Sequence, residues 1–261
     1  KFMGTSNGTN MTAKYLVTGA SGQLGQRVLH HLLATEGVTA SDIIAASRKP
    51  EQLAELAAKG VQTRRVDFDD AASMQAAFAD AQRVLIISTD TLDRPGHRLV
   101  QHRAAVAAAE KAGVQHLLYT SMPEPKNSPL LFAPDHEGTE AAIEASALPA
   151  WTILRNNWYF ENVMMSAGPA LASGHWYSAA GEGKVAHILR DDIARAIAAA
   201  PADLCPGRRL AARSRLCRPL CRLDHFGRLR CRRDEGLSRR HPGPCGKGRS
   251  RSRRDQGSLL H

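Results

Sequence analysis

The segment Gly19-Ala20-Ser21-Gly22-Gln23-Leu24-Gly25 constrains this chain more than any other. It follows a short apolar run, Tyr15-Leu16-Val17-Thr18. It opens a stretch, Gln23–Ala34, in which Leu24, Val28 and Leu32 recur at helical spacing. A strand, a glycine turn and a helix in that order form the start of a βαβ unit. Each glycine has a separate task. Gly19 allows the tight turn, Gly22 lets the backbone come close to a pyrophosphate, and Gly25 lets the helix pack closely on the strand. The N–H groups at the helix start and the helix dipole favour anionic phosphates. The segment therefore implies a dinucleotide site.

The rest of the first 200 residues repeats the alternation. Strands are expected at Ile43–Ser47, Val61–Val66, Arg83–Ser88, Gln115–Thr120 and Trp151–Leu154. Helices are expected over Glu51–Ala58, Ala71–Ala79, Gln101–Ala112, Glu137–Ser146, Trp158–Ala172 and Asp192–Ala200, with Asp191 or Asp192 as the last helix's N-cap. Strands alternating with helices of this length imply parallel pairing through right-handed crossovers. The expected fold is α/β, a Rossmann-type doubly wound parallel sheet with helices on both faces and a small, incomplete substrate-binding region.

The end of the second strand bears on which dinucleotide is bound. An enzyme selective for NAD places Asp or Glu there to accept from the ribose 2′-hydroxyl, whereas a 2′-phosphate needs a cation. Here the strand ends Ala46-Ser47-Arg48-Lys49, with no carboxylate. Arg48 can fork onto the phosphate while Ser47 donates a further hydrogen bond. The expected cofactor is NADP(H) in preference to NAD(H), with NAD(H) still able to bind if Arg48 only stacks on adenine. Asp67, ending the third strand, reads either as a partner for the adenine amino group or as a solvated acid or helix cap.

Composition changes sharply near Pro201. Residues 201–261 hold 17 of the 35 Lys and Arg and 5 of the 25 Asp and Glu, and all five cysteines. The chain's basic balance belongs to that tail, so it gives the body no affinity for nucleic acid. The tail has no Val, Ile, Met, Tyr or Trp, and its large apolar residues are nine Leu and Phe226. It cannot build its own core and is expected to be either a frameshifted reading of GC-rich DNA or a disordered basic arm. Cys217-x3-Cys221 followed by single Cys231 and Cys245 lacks the paired spacing of a zinc site, so no metal is expected. Three regions result: a disordered leader over 1–11 with Met11 as the start, a nucleotide-binding domain with part of the substrate region over 12–200, and the tail over 201–261. No run approaches the ~18 apolar residues of a membrane span. A cysteine-free body without a signal peptide fits a cytoplasmic enzyme.

Several stretches resemble one family. Residues 12 to about 200 resemble the NmrA-like, atypical short-chain dehydrogenases, with the likeness strongest to type 2 NAD(P)H:quinone oxidoreductases and triphenylmethane dye reductases. The matching stretches are Val17–Gly25, Ser47-Arg48, Leu85-Ile86-Ile87-Ser88, Gln101-His102-Arg103, Ala112-Gly113-Val114, Tyr119-Thr120-Ser121 and Leu154-Arg155-Asn156-Asn157-Trp158-Tyr159. The resemblance implies that the cofactor is held by Gly19, Ala20, Ser21, Gly22, Gln23, Leu24 and Arg48. It adds Ser88, Thr89 and Asp90, then Asn156, Asn157, Trp158, Tyr159, Phe160 and Glu161. Such enzymes usually have serine where Thr89 and Asp90 stand, which alters that loop's contacts. The resemblance also implies that the segment beyond residue 200 completes the acceptor pocket.

Ordinary short-chain dehydrogenases use Tyr-x-x-x-Lys, in which lysine lowers the tyrosine pKa. Tyr119 has Pro123 four residues on, and the helix after the fifth strand reads His136-Glu137-Gly138-Thr139-Glu140, without Tyr or Lys. Alcohol–ketone chemistry is therefore not expected. A quinone or cationic dye is already electrophilic, so its reduction depends mainly on placing a nicotinamide against a flat acceptor. The expected function is NADPH-dependent hydride transfer to a quinone or dye-like acceptor, and a homodimer is compatible with it. The alternative is a non-catalytic, redox-sensing regulator that binds NADP(H). His136 is the candidate catalytic residue, as proton donor or orienting hydrogen bond, or else a helix-start histidine capping the backbone. His102 and Arg103 read as packing or surface residues.

Overall fold

Three residues hold the centre of the sheet. In the computed structural model, which describes residues 14–177 and 181–200 with the strand segments 221–223 and 229–231, β1 (Tyr15–Val17) leads into α1 (Gln23–Leu33). There follow β2 (Ile43–Ser47), α2 (Ala54–Ala58), β3 (Gln62–Arg65), α3 (Ala71–Phe78), β4 (Arg83–Ile86), α4 (His97–Lys111), β5 (His116–Ser121), α5 (Ala133–Ala145) and β6 (Trp151–Arg155). The strand order is β3-β2-β1-β4-β5-β6, and all five pairings are parallel. This is the Rossmann-type doubly wound sheet.

The two-residue period of each strand sends neighbours to opposite faces. Leu16, Ile44, Val84, Ile86, Leu117 and Tyr119 pack in one cluster with Met74 and Phe78 of α3, Val106 of α4 and Ile143 of α5. Val17, Ile43, Ala45, Leu85 and Leu118 pack in the other, against Leu24, Val28 and Leu32 of α1. That second face also takes Ile193 and Ile197 of α7 (Arg190–Ala199). The order reverses between β1 and β4, which is where an open parallel sheet leaves a crevice at its carboxyl edge.

Several element boundaries differ from expectation. α4 begins at His97, four residues before Gln101, because Gly96 turns the chain at φ +77° and the His97 ring bridges Asp93 and Asp69. α5 begins at Ala133, with Pro134 in the first turn, where its missing N–H costs nothing. His136 thus lies inside the helix rather than at its start. The expected helix over Trp158–Ala172 is divided. Trp158–Tyr159 is extended (β7), a single turn covers Phe160–Asn162, and α6 runs over Val163–Ser173. β7 pairs in parallel with His187–Ile188 (β8), a strand the sequence reading missed. α7 (Arg190–Ala199) starts earlier than expected, and neither Asp191 nor Asp192 is its N-cap. Both sit in the first turn, and the Glu161 carboxylate accepts from the Arg190 N–H at 3.0 Å instead. α6 buries none of its residues, and Met164, Met165 and Leu171 are exposed.

A second unit spans 216–261, and in it Cys221–Leu223 (β9) pairs antiparallel with Leu229–Cys231 (β10). The leader, Met11, Cys205, Cys217 and Cys245 lie outside the described residues.

Candidate functional site

The glycine turn is built as its three glycines require. Gly19 has φ +62°, a conformation that favours glycine. The Ala20 N–H donates to the Ala46 carbonyl and the Gly22 N–H to the Gly19 carbonyl. A Cβ on Gly25 would lie 2.2 Å from the Gly19 oxygen. Gly25 is thus where the helix meets the turn backbone directly. Helix α1 starts with Gly22 as N-cap, no side chain caps it, and its first turn carries no acidic residue. Its leading amides are free to meet an anion.

Neighbouring strand ends converge on this turn. The Ser21 and Ser47 hydroxyls are 2.8 Å apart, and Ser47 is buried. The Ser47 hydroxyl ties the glycine turn to the end of β2 through this contact. Arg48 is exposed and makes no hydrogen bond or ion pair among the described residues. Asp67 accepts from the Asp69 N–H and from Arg65, while Asp70 caps α3 by accepting from the Ser73 N–H.

The loop after β4 divides. The Ser88 N–H donates to Thr120 Oγ1, and its hydroxyl accepts from Arg98. Thr89 turns towards α4: its N–H donates to His102 Nε2 at 3.1 Å and its hydroxyl to Gln101 at 3.0 Å. Asp90 is exposed. Beyond β6, Asn156 donates its N–H to the Ser121 carbonyl, and its buried Nδ2 has no hydrogen-bond partner among the described residues. Asn157 follows, then Trp158 and Phe160, both about half exposed at 47% and 49%. The Tyr159 ring lies under the Arg190 guanidinium at 4.6 Å, and burial raises its hydroxyl pKa. Glu161 is engaged with Arg190.

A buried polar cluster lies behind the Ser88 loop. His136 Nδ1 is 2.8 Å from the Tyr119 hydroxyl, and Arg98 Nη2 is 3.1 Å from His136 Nε2. An arginine only donates, so Nε2 accepts and the imidazole proton sits on Nδ1, pointing at Tyr119. His102 accepts from Thr89 at Nε2, which places its proton on Nδ1, 3.0 Å from Thr139 Oγ1. Burial, then the Arg98 charge, push both histidines down to about 3, so both are neutral. Burial raises the Tyr119 hydroxyl. His136 is 4% exposed and its one proton is directed inward. His102 is fully buried as a packing residue, and Arg103 is exposed.

Arg98 was missed in the sequence. Its half-buried guanidinium stacks 5.5 Å from the Phe132 ring centroid. The only sequence signal was its place just after Gly96, in a segment not expected to be helical. Among the described residues no group of three or more His, Cys, Asp or Glu could hold a metal, and no helix is long and apolar enough to cross a membrane.

A parallel sheet with this turn at its switch point defines a nucleotide-binding fold, and comparison with known proteins identifies the kind. Residues 19–203 match the model of an NAD(P)H-binding family, and the chain belongs to that family. It is 41% identical over 182 residues to quinone oxidoreductase 2 of Escherichia coli (strain K12), across 70% of this chain and 62% of that protein. It is 29% identical over 181 residues to the NAD(P)H azoreductase of Xenophilus azovorans, across 69% of this chain and 60% of that protein. The chain thus spans less than two thirds of these relatives' length. Among solved structures, Citrobacter sp. triphenylmethane reductase complexed with NADP(H) matches at 35% identity with a TM-score of 0.69, over 75% of this chain and 68% of that one. The Escherichia coli NADPH-dependent quinone oxidoreductase QOR2 complexed with NADPH matches at 38% and 0.68, over 74% and 66%.

Proposed function

We propose that this chain is an NADPH-dependent reductase that delivers hydride to a quinone or a similarly flat, electrophilic acceptor. The observation that carries it is the uncapped start of α1 behind the Gly19–Gly25 turn, beside the unpaired Arg48. The amides of Gln23 and Leu24 suit a pyrophosphate, and Arg48 suits a ribose 2′-phosphate. By this reading Ser88, Asn156 and Asn157 would edge the same crevice, and the half-exposed Trp158 would offer a flat apolar surface to a planar ligand. Bound NADPH would supply the hydride. Thr89 and Glu161 belong to the supporting structure by this reading, since each is committed to a neighbouring helix.

The acceptor follows from what the site contains. Tyr119 is wholly buried and its burial keeps it protonated. It is placed to orient, not to protonate an alkoxide. An acceptor whose reduced oxygen takes its proton from water fits this site better than a ketone. Relatives named as quinone, dye and azo reductases agree with that chemistry.

The test is NADPH titration followed by NADPH oxidation with a small benzoquinone. Tight binding with turnover supports the reading. Tight binding without turnover of quinones or dyes would favour a redox-sensing regulator, and no binding would end the dinucleotide reading.

A further inference from the structure

The Arg98 guanidinium is out of keeping with its surroundings. It is half-buried, with no carboxylate within 4.0 Å of it among the described residues, and the Asp135 and Asp90 carboxylates act on it only from farther off. Its contacts are the Ser88 hydroxyl, the neutral His136 ring and the Phe132 face. Nη2 serves both polar contacts. Nε is buried without a partner, and Nη1 makes no hydrogen bond among the described residues. A buried donor normally finds an acceptor, and a buried charge normally finds a counter-charge.

The arrangement fixes this cation in place. His136 accepts from Nη2 while donating to Tyr119, and Tyr119 is packed inside β5. The histidine therefore acts as a strut that aims the guanidinium. An Nη1 without a hydrogen bond among the described residues, a cation held in place and the Phe132 face together suit a flat molecule with a negative oxygen.

The geometry points to Arg98 as an acceptor-binding residue that holds an anionic oxygen, making the site selective for quinones and hydroxyquinone anions over cationic dyes. This rests on the proposed reductase function but not on turnover. A cationic dye gains nothing from a guanidinium. A hydroxyquinone anion gains a charge-assisted hydrogen bond. His136 is then a positioning residue.

The experiment uses the full chain saturated with NADP+. A hydroxynaphthoquinone anion, unsubstituted naphthoquinone and a cationic triphenylmethane dye are titrated into the parent, Arg98→Gln and Arg98→Lys, with NADPH affinity and thermal unfolding measured alongside. A charge-assisted bond of this kind corresponds to a factor of about 10–150. Arg98→Gln should lose that factor for the hydroxynaphthoquinone anion, lose less for naphthoquinone, and bind the dye at least as well. Arg98→Lys should fall between, because it keeps the charge without the fork. NADPH affinity should stay near that of the parent. Equal anion binding by parent and Arg98→Gln overturns the inference, as does no anion binding by the parent. A parallel loss of NADPH affinity also overturns it, by placing Arg98 on a cofactor phosphate. Failure of the parent to bind NADPH strikes the reductase reading instead and is read in its own titration.

Discussion

Substituting Gly25 by Ala separates the architecture of the glycine turn from its ligand. A Cβ there would stand 2.2 Å from the Gly19 oxygen, 2.9 Å from the Ala20 Cα and 2.9 Å from the Gly19 carbonyl carbon. All three are backbone atoms, so no rotamer change relieves the clash. Ordinary contact needs ~3.5 Å, so α1 and the turn must part by about 1 Å. Overpacking of this kind costs about 1–3 kcal/mol and occasionally more, against a gain of about 0.5–1 kcal/mol from Ala over Gly inside a helix. A net loss of about 1–2 kcal/mol corresponds to a fall in Tm of roughly 2–8 °C for a domain of this size. NADPH affinity should fall with it, because the displaced atoms are the turn itself. Gly22→Ala is the control. Its Cβ would meet only the Gly19 oxygen, at 3.2 Å, and its φ is −79°. It should leave Tm within a few degrees while weakening NADPH binding at least tenfold, which is about 1.4 kcal/mol. Thermal unfolding with and without NADPH, on both variants, gives the answer. A Gly25→Ala protein as stable as the parent, or a Gly22→Ala protein that keeps the parent's affinity, would refute this account of the turn.

The pH dependence of stability has a definite sign. Unfolded histidine titrates near 6.5, whereas folded His102 and His136 are held at about 3 and His116 at about 4, all chiefly by burial. Between those values only the unfolded chain takes up the protons. Their contribution to stability is therefore full above about pH 6.5 and falls as pH drops towards 3, each buried histidine adding up to about 1.4 kcal/mol per pH unit until its folded value is reached; a denaturant midpoint that does not fall between about pH 6.5 and 4 would contradict it. Arg155→Met leaves the Glu140 carboxylate, which accepts from Arg155 at 2.6 and 3.0 Å, buried with only Ser121 as donor. The single change should cost about 3–5 kcal/mol, and adding Glu140→Gln should recover much of it in a double-mutant cycle. Arg48→Gln touches an exposed, unpaired side chain, so unfolding should shift by no more than about 0.5 kcal/mol. The ratio of NADPH to NADH affinity should fall about 10–150-fold, as expected for one charge-assisted bond; an unchanged ratio would remove Arg48 from the ribose site.

The glycine turn and the sheet were legible because both are written in local sequence. Leu24, Val28 and Leu32 alternate at helical spacing and are buried in α1, and Gly25 sits where no Cβ fits. The ends of elements were not legible, because tertiary partners set them. Trp158 and Tyr159 have no local reason to be extended, and they are so because His187 and Ile188, some 29 residues on, pair with them. The start of α7 is capped by Glu161 across the same interval, so the nearby Asp191 and Asp192 were plausible caps and were not used. Arg98 escaped for a related reason. Its neighbour His136 is 38 positions away, and only the earlier start of α4 brings the two together.

One regularity joins the turn to the polar cluster. Strands β1, β2 and β5 run from apolar residues to buried hydroxyls at or just past their carboxyl ends: Thr18, Ser47, and Thr120 with Ser121. A parallel ladder that stops leaves backbone groups without strand partners, and the hydroxyls take them up. Thr18 donates to the Leu85 carbonyl and accepts from the Ile87 N–H. Thr120 accepts from the Ser88 N–H, and Ser47 accepts from the Lys49 N–H while holding Ser21. Each bond ties one strand end or loop to the next, so the edge that would receive the dinucleotide is already fixed before anything binds. A fixed edge is what positioning chemistry demands, because a displacement of about 1 Å at the reacting atoms can cost a hundredfold in rate. The same rigidity makes Arg98 informative. On a loose loop an unpaired guanidinium would swing out to water, but here Ser88, itself held by Thr120, and His136 keep it half-buried at the crevice.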